Sequence, residues 1–210
     1  MKPNRLYADT ITKRLNCPQC GYLLPLRFRW TKLVECPACK SSIFLEDEGA
    51  KVIGKASTLS PEPSLIRVHD PIIIDRTNYL PLGKIRYSYG RGFWEEWFLI
   101  NQNNQEFWLS IDEGDFVLER PAKMTLPFSN IDKLTMGKSY GEYVVTEIGE
   151  GECVGFEGEL PKKITINEKH RYVHLSKGGA SLMTIESSKE GIEIFKGKWI
   201  DPFEIKKVNG

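Results

Sequence analysis

No apolar run in this chain approaches the roughly 18 residues that a bilayer-spanning helix needs. An excess of charge of one sign is missing too: 29 Lys and Arg stand against 28 Asp and Glu, a formal net charge of +1. Nothing global then steers the protein toward nucleic acid or acidic lipid. There is no phosphate loop, no G-x-G-x-x-G and no G-x-S-x-G, so the common nucleotide-binding and serine-hydrolase signatures are absent. Histidine is scarce, at three residues. His170 and His174 stand four apart, which on a strand separates them by about 13 Å along one face, too far for one metal ion. Met1 to Asn16 is polar and charged, without the apolar core of a secretory signal. The expectation is a soluble, cytoplasmic protein in a reducing compartment. Helical periodicity is also lacking beyond about two turns.

Cysteine is sparse, at five residues, but four of them are patterned. Cys17-Pro18-Gln19-Cys20 and Cys36-Pro37-Ala38-Cys39 are C-x-x-C knuckles separated by fifteen residues, a spacing that matches a four-thiolate zinc site. Each knuckle turns two sulfurs to one side of a tight loop, and Gly21 suits the turn after Cys20. Four thiolates leave no open coordination position, so Zn²⁺ here would be structural. About fifty residues bury little core, and the metal would supply the missing folding energy. Disulfides are disfavoured by the compartment. A redox dithiol would need a following helix, whereas the segment after Cys20 reads as strand. Cys153 stands alone and reads as a small buried apolar residue or an idle thiol.

The rest is ordinary globular composition, 40% hydrophobic and 27% charged. The fold class read from it is mainly β: an N-terminal zinc ribbon over residues 1–48, a Gly/Ser/Pro-bearing linker over 49–64, and two related small β-barrel or β-sheet halves over 65–128 and 129–210. Between the knuckles, residues 22–30 read as two short strands. Trp94 to Ile100 and Glu106 to Ile111 flank the polar turn 101–105 and read as a hairpin. Strands are also expected at 72–74, 79–89, 116–118, 143–148, 163–166, 172–175, 181–185 and 191–196, with a short helix near 129–134 capped by Ser129 or Asn130.

Phe93-Trp94-Glu95-Glu96-Trp97-Phe98-Leu99-Ile100 is the densest local signal after the cysteines. On a strand, Trp94, Glu96, Phe98 and Ile100 share one face, and Phe93, Glu95, Trp97 and Leu99 the other. Both faces are apolar apart from one glutamate each, as in a barrel wall covered on both sides. Core packing is the favoured reading. The functional one makes Trp94, Glu96, Trp97 and Trp108 a binding surface. A buried Glu96 needs a partner, for which Arg86 and Arg91 are near in sequence. Arg27, Arg29 and Trp30 interleave base and aromatic between the knuckles and are candidate nucleic-acid contacts.

The run Trp94-Glu95-Glu96-Trp97-Phe98-Leu99, followed by Phe107-Trp108-Leu109 and Asp112-Glu113-Gly114, resembles the bacterial domain-of-unknown-function family 4178. The resemblance extends from the knuckles to Trp199, with a second related β half holding residues 155–161 and 181–199. It implies no reaction and no catalytic residue. It implies company with genes for PspA-like membrane-stress proteins, spermidine-synthase-like proteins and membrane proteins. The function expected is therefore a non-catalytic, zinc-containing adaptor or binding protein with a protein partner, accessory to a membrane-stress or polyamine-linked system. Such a partner could also bring it to the membrane surface. The alternatives are a zinc-ribbon nucleic-acid binder and an enzyme acting through Glu95 or Glu96.

Overall fold

A computed structural model describes residues 11–46, 49–55, 59–60, 62–123 and 131–208. Nearly all regular structure in them is antiparallel strand, with two three-residue 3-10 turns at Ile131–Lys133 and Pro202–Glu204. The first of these lies in the short helix expected near 129–134. Its expected caps, Ser129 and Asn130, fall outside the described residues.

The cysteine ribbon is built from β1 (Lys13–Asn16), β2 (Leu23–Leu26), β3 (Leu33–Glu35), β4 (Ser41–Glu46) and β5 (Gly49–Lys55). β1 pairs β2, and β3, β4 and β5 form an antiparallel sheet. Leu24, Leu26, Val34, Ile43 and Leu45 gather with Cys17 and Cys36 into a small core. Two sequence expectations change here. Residues 22–30 form one strand rather than two, because Arg27 to Trp30 turn away to meet the second part of the chain. The linker expected over 49–64 begins as strand β5, since Ala50 and Val52 half-bury against β4 and backbone pairing outweighs the two glycines.

The remaining strands are β6 (Ile72–Ile74), β7 (Thr77–Ser88), β8 (Phe93–Asn101), β9 (Glu106–Asp112), β10 (Asp115–Pro121), β11 (Ser139–Tyr140), β12 (Tyr143–Leu160), β13 (Lys169–Lys177), β14 (Ser181–Ser188), β15 (Gly191–Ile200) and β16 (Lys206–Lys207). Each half supplies a four-stranded meander, β7 to β10 and β12 to β15. The first strands of the two meanders pair, β7 with β12, and so do the last, β10 with β15. The two sheet halves therefore close into one barrel, which leaves these eight strands no free edge. The 163–166 segment, expected as strand, is instead a loop whose Ile164 and Ile166 pack on the core.

Turn chemistry sets several registers. Asp75 and Arg76, both at positive φ, make the two-residue link from β6 to β7. The Asn101 side chain accepts from the backbone N–H groups of Asn103 and Gln105, which closes the β8–β9 hairpin. β12, at 18 residues, pairs in turn with β13, β7 and β3. Where it leaves the barrel for the ribbon, Gly158 lies against Gly83 at a φ of +76°, and a Cβ on either would overlap facing backbone.

The alternation along β8 divides two cores. Trp94, Phe98 and Ile100 face inward with Leu82, Ile85, Tyr87, Trp108 and Phe156. Trp97 and Leu99 face outward, under Ile66, Ile72, Ile74 and Ile200. A third cluster covers the outside of the second meander, where Val173, Leu175 and Ile185 lie beneath Ile131 and Leu134.

Candidate metal centre and barrel interior

The ribbon brings its four cysteines to one point. Cys17 Sγ lies 3.7 Å from Cys39 Sγ, and Cys20 Sγ lies 3.7 Å from Cys36 Sγ. All four sulfurs fall within 4.8 Å of one another. A tetrahedral ion with metal–sulfur bonds of about 2.3 Å requires sulfur–sulfur edges of about 3.8 Å, so the four sulfurs fit one such ion. The two knuckles are built alike. The Gly21 N–H donates to the Cys17 carbonyl and the Lys40 N–H to the Cys36 carbonyl, and both residues take positive φ. Lys40 tolerates a position that glycine fills in the first knuckle, and its ammonium meets Glu35 at 2.9 Å. Ser41 Oγ sits 3.2 Å from Cys39 Sγ as an outer partner.

The ribbon is fastened to the barrel through a buried carboxylate. Glu159 accepts from the Arg27 N–H at 3.0 Å, the Phe28 N–H at 3.2 Å and the Thr31 hydroxyl at 2.9 Å. Burial pushes the Glu159 pKa upward, and these donors pull it back. Beside this anchor β3 continues the sheet of β12. Phe28 enters the barrel core edge-on to Phe98, with ring centroids 5.1 Å apart.

The other half of the barrel interior is polar. Glu96, Ser110, Asp112, Glu119, His170, Tyr172, His174, Thr184 and Glu186 line a small cavity with Trp94. Register brings them together: Glu96 stands opposite Ser110, Tyr172 opposite Glu186, and His174 opposite Thr184. Trp94 fits because Gly151 leaves room for its ring. The charges are unevenly compensated. Burial opposes the charge on Glu186, but Lys162 at 3.4 Å and His170 at 3.5 Å outweigh it and draw the pKa down to about 2. Lys162 also meets Glu193 at 2.7 Å. Glu119 accepts from Thr184 at 2.8 Å, yet burial raises its pKa to about 7. Glu96 accepts from the Trp94 indole N–H at 3.0 Å and is pushed well above the carboxylate range by burial and by the charges of Glu186 and Glu119. Glu147 is lowered by its contact with His174 at 3.1 Å, against burial.

The profile of the family described as a domain of unknown function, DUF4178, matches residues 67–202. The chain belongs to the DUF4178 family. The match takes in β6 to β15, the whole barrel, and leaves the cysteine ribbon outside, so it is narrower than the resemblance read from the sequence. No curated protein and no solved structure matches the chain.

Within this DUF4178 barrel the three candidate tryptophans do not form an exposed surface. Trp94, Trp97 and Trp108 are all buried, Trp94 and Trp108 inside the wall and Trp97 outside it, because both faces of the wall are covered. Glu96 faces the cavity. Arg86 bonds Glu95 rather than Glu96, since Arg86 and Glu95 are register partners on the outer face. Glu95 also meets Lys84 at 2.9 Å. Burial opposes its charge, but these two cations hold its pKa down. Of the candidate nucleic-acid contacts, Arg27 is held against Glu159 and His69, while Arg29 and Trp30 are exposed. Sequence reasoning missed Glu119, Glu186 and Lys162. Alternation on β10 and β14 marks two of them as inward-facing, but nothing local says that they meet. Among the described residues no helix is long and apolar enough to cross a membrane.

Proposed function

We propose that this DUF4178 protein is a non-catalytic binding protein: a zinc-held ribbon fixed to a closed barrel, which docks a protein partner. Zinc is the metal of choice because four thiolates in a closed tetrahedral set suit a soft-accepting, redox-silent ion. The observation that carries the docking role is the edge of β5. Among the described residues this strand pairs with β4 alone, and Ile53 on it is 40% exposed. The barrel has closed its own edges, and β5, at the ribbon end of the sheet, offers a free edge to which an extended segment can add as a further strand. Lys51 and Lys55 on the strand favour an acidic segment and discourage self-pairing. A place beside a membrane-stress or polyamine-linked system, with membrane contact through the partner, is part of the same proposal.

The test is capture from native lysate by tagged, zinc-loaded protein, with and without nuclease. A stoichiometric partner that survives nuclease and is lost with Ile53→Glu supports the reading. A partner retained by Ile53→Glu, or none at all, refutes it. One observation favours nucleic acid as a second reading. Trp30 is 59% exposed, with the Arg29 guanidinium 4.8 Å above its ring, a platform on which a base could stack. Fluorescence anisotropy with a single-stranded oligonucleotide checks it. Binding must survive physiological salt and fall with Arg29→Ala.

A further inference from the structure

A cleft of about 320 Å³ opens where the ribbon meets the barrel. Lys32 and Phe44 line it from the ribbon, and Tyr87, Lys163, Ile164 and His170 from the barrel. The volume lies in the range of small-ligand sites, and the position between two modules is typical of them.

Two observations separate this cleft from an incidental hollow. Tyr87 is only 3% exposed, with its ring stacked on Trp94 at 4.9 Å and on His170 at 4.6 Å. Among the described residues its hydroxyl has no hydrogen-bond partner, although buried phenols normally find one. Burial and the nearby Glu186 push its pKa well up, so it stays protonated and available as a donor. The second observation concerns the lysines. Lys162 and Lys169 are taken up by Glu193 and Glu150. Lys32 and Lys163 form no ion pair among the described residues, and the Lys163 ammonium lies 5.5 Å from the centre of the Phe44 ring.

Four lysines line the cleft against three glutamates, Glu168, Glu190 and Glu193. Glu193 is neutralised by Lys162, and Glu168 accepts the Lys189 N–H. Glu168 and Glu190 balance Lys32 and Lys163 in formal charge, so what the cleft offers an anionic head is two cations without ion-pair partners rather than a net positive field. Phe44, Ile164 and the Tyr87 ring supply apolar wall. Donors and cations on apolar walls suit a ligand with an anionic head and an apolar body.

The geometry points to a binding site for a small amphipathic carboxylate at the ribbon–barrel junction. Lys32 and Lys163 meet the anion, Phe44 and Ile164 hold the apolar body, and the Tyr87 hydroxyl donates to a ligand oxygen. This site is separate from the β5 edge and does not depend on a protein partner.

Isothermal titration calorimetry on the full, zinc-loaded chain tests it, with octanoate and phenylacetate as probes and octanamide as the neutral control. At least one acid binds with a Kd below about 1 mM, and the amide binds at least about tenfold more weakly. Octanoate alone names an aliphatic body and phenylacetate alone an aromatic one, and either supports the site. The Lys32→Gln/Lys163→Gln double variant weakens binding about tenfold, and Tyr87→Phe about fivefold. Tyr87→Phe leaves the melting temperature unchanged or higher, because it removes only an unpartnered hydroxyl. Ile53→Glu leaves carboxylate binding intact, which separates this test from the docking one. The inference is overturned if neither acid saturates by roughly 10 mM. It is also overturned if binding ignores both the lysine pair and Tyr87.

Discussion

Glu119→Gln is the substitution that most directly probes the polar half of the barrel. Glu119 is 5% exposed, and among the described residues its carboxylate accepts one hydrogen bond, from Thr184. Its pKa rises from 4.5 in an open chain to about 7, chiefly through burial. A carboxyl raised in the folded state binds its proton more tightly there than in the unfolded chain. Its contribution to stability is therefore fully present below about pH 4.5 and is lost as pH rises through about 7. At about 1.4 kcal/mol per pH unit, that window is worth about 3 kcal/mol. Glutamine keeps the shape and an oxygen for Thr184 to donate to, and it cannot ionise. The variant should match the native protein near pH 5 and exceed it by about 2–3 kcal/mol near pH 8. Urea unfolding at both pH values, with zinc held constant, reads this as a midpoint gain of about 1 M at the higher pH. Acid lability of the cysteine centre is common to both proteins and cancels in the difference. Equal midpoints at pH 8, or a gain of the same size at pH 5, would refute the claim that a strained, ionised Glu119 is buried in the barrel.

Three further outcomes follow from the geometry. Cys36→Ser should lower the metal content measured by plasma mass spectrometry from one equivalent to near zero, and should loosen the barrel as well, since Phe28 and Leu33 enter its core from the ribbon. Glu95→Gln strands Lys84 and Arg86, both buried, and should cost about 3 kcal/mol in urea unfolding. A cost below about 1 kcal/mol would mean that the two cations reach water. Gly158→Ala forces a side chain into the facing Leu82 carbonyl at a left-handed φ, and should cost upward of about 3 kcal/mol or abolish soluble expression. An unchanged melting temperature would disprove that close approach.

The knuckle spacing was sufficient to bring four thiolates together, because each C-x-x-C is a local turn and only two such turns had to meet. The hairpin closed by Asn101 and the two-faced alternation of Trp94 to Ile100 were legible for the same reason: turn chemistry and the two-residue period of a strand act between near neighbours. The strand character of 49–55 was hidden, because glycine and lysine mask a segment whose pairing comes from β4. Whether Arg86 met Glu95 or Glu96 was hidden too, since both are near in sequence and only register separates the faces.

Barrel closure depended on the tertiary structure. Pairing of β7 with β12 and of β10 with β15 joins residues 64 to 84 positions apart, and no local preference specifies such a match. Closure also carried Glu96, Glu119, Glu186 and His170, from four different strands, into one interior, and it stood Lys32 of the ribbon over the same mouth as Tyr87. The residues and their strand faces were written in the chain. Their meeting was decided by how a twisted sheet of fixed strand number returns on itself, which is a property of the whole set of strands rather than of any one of them.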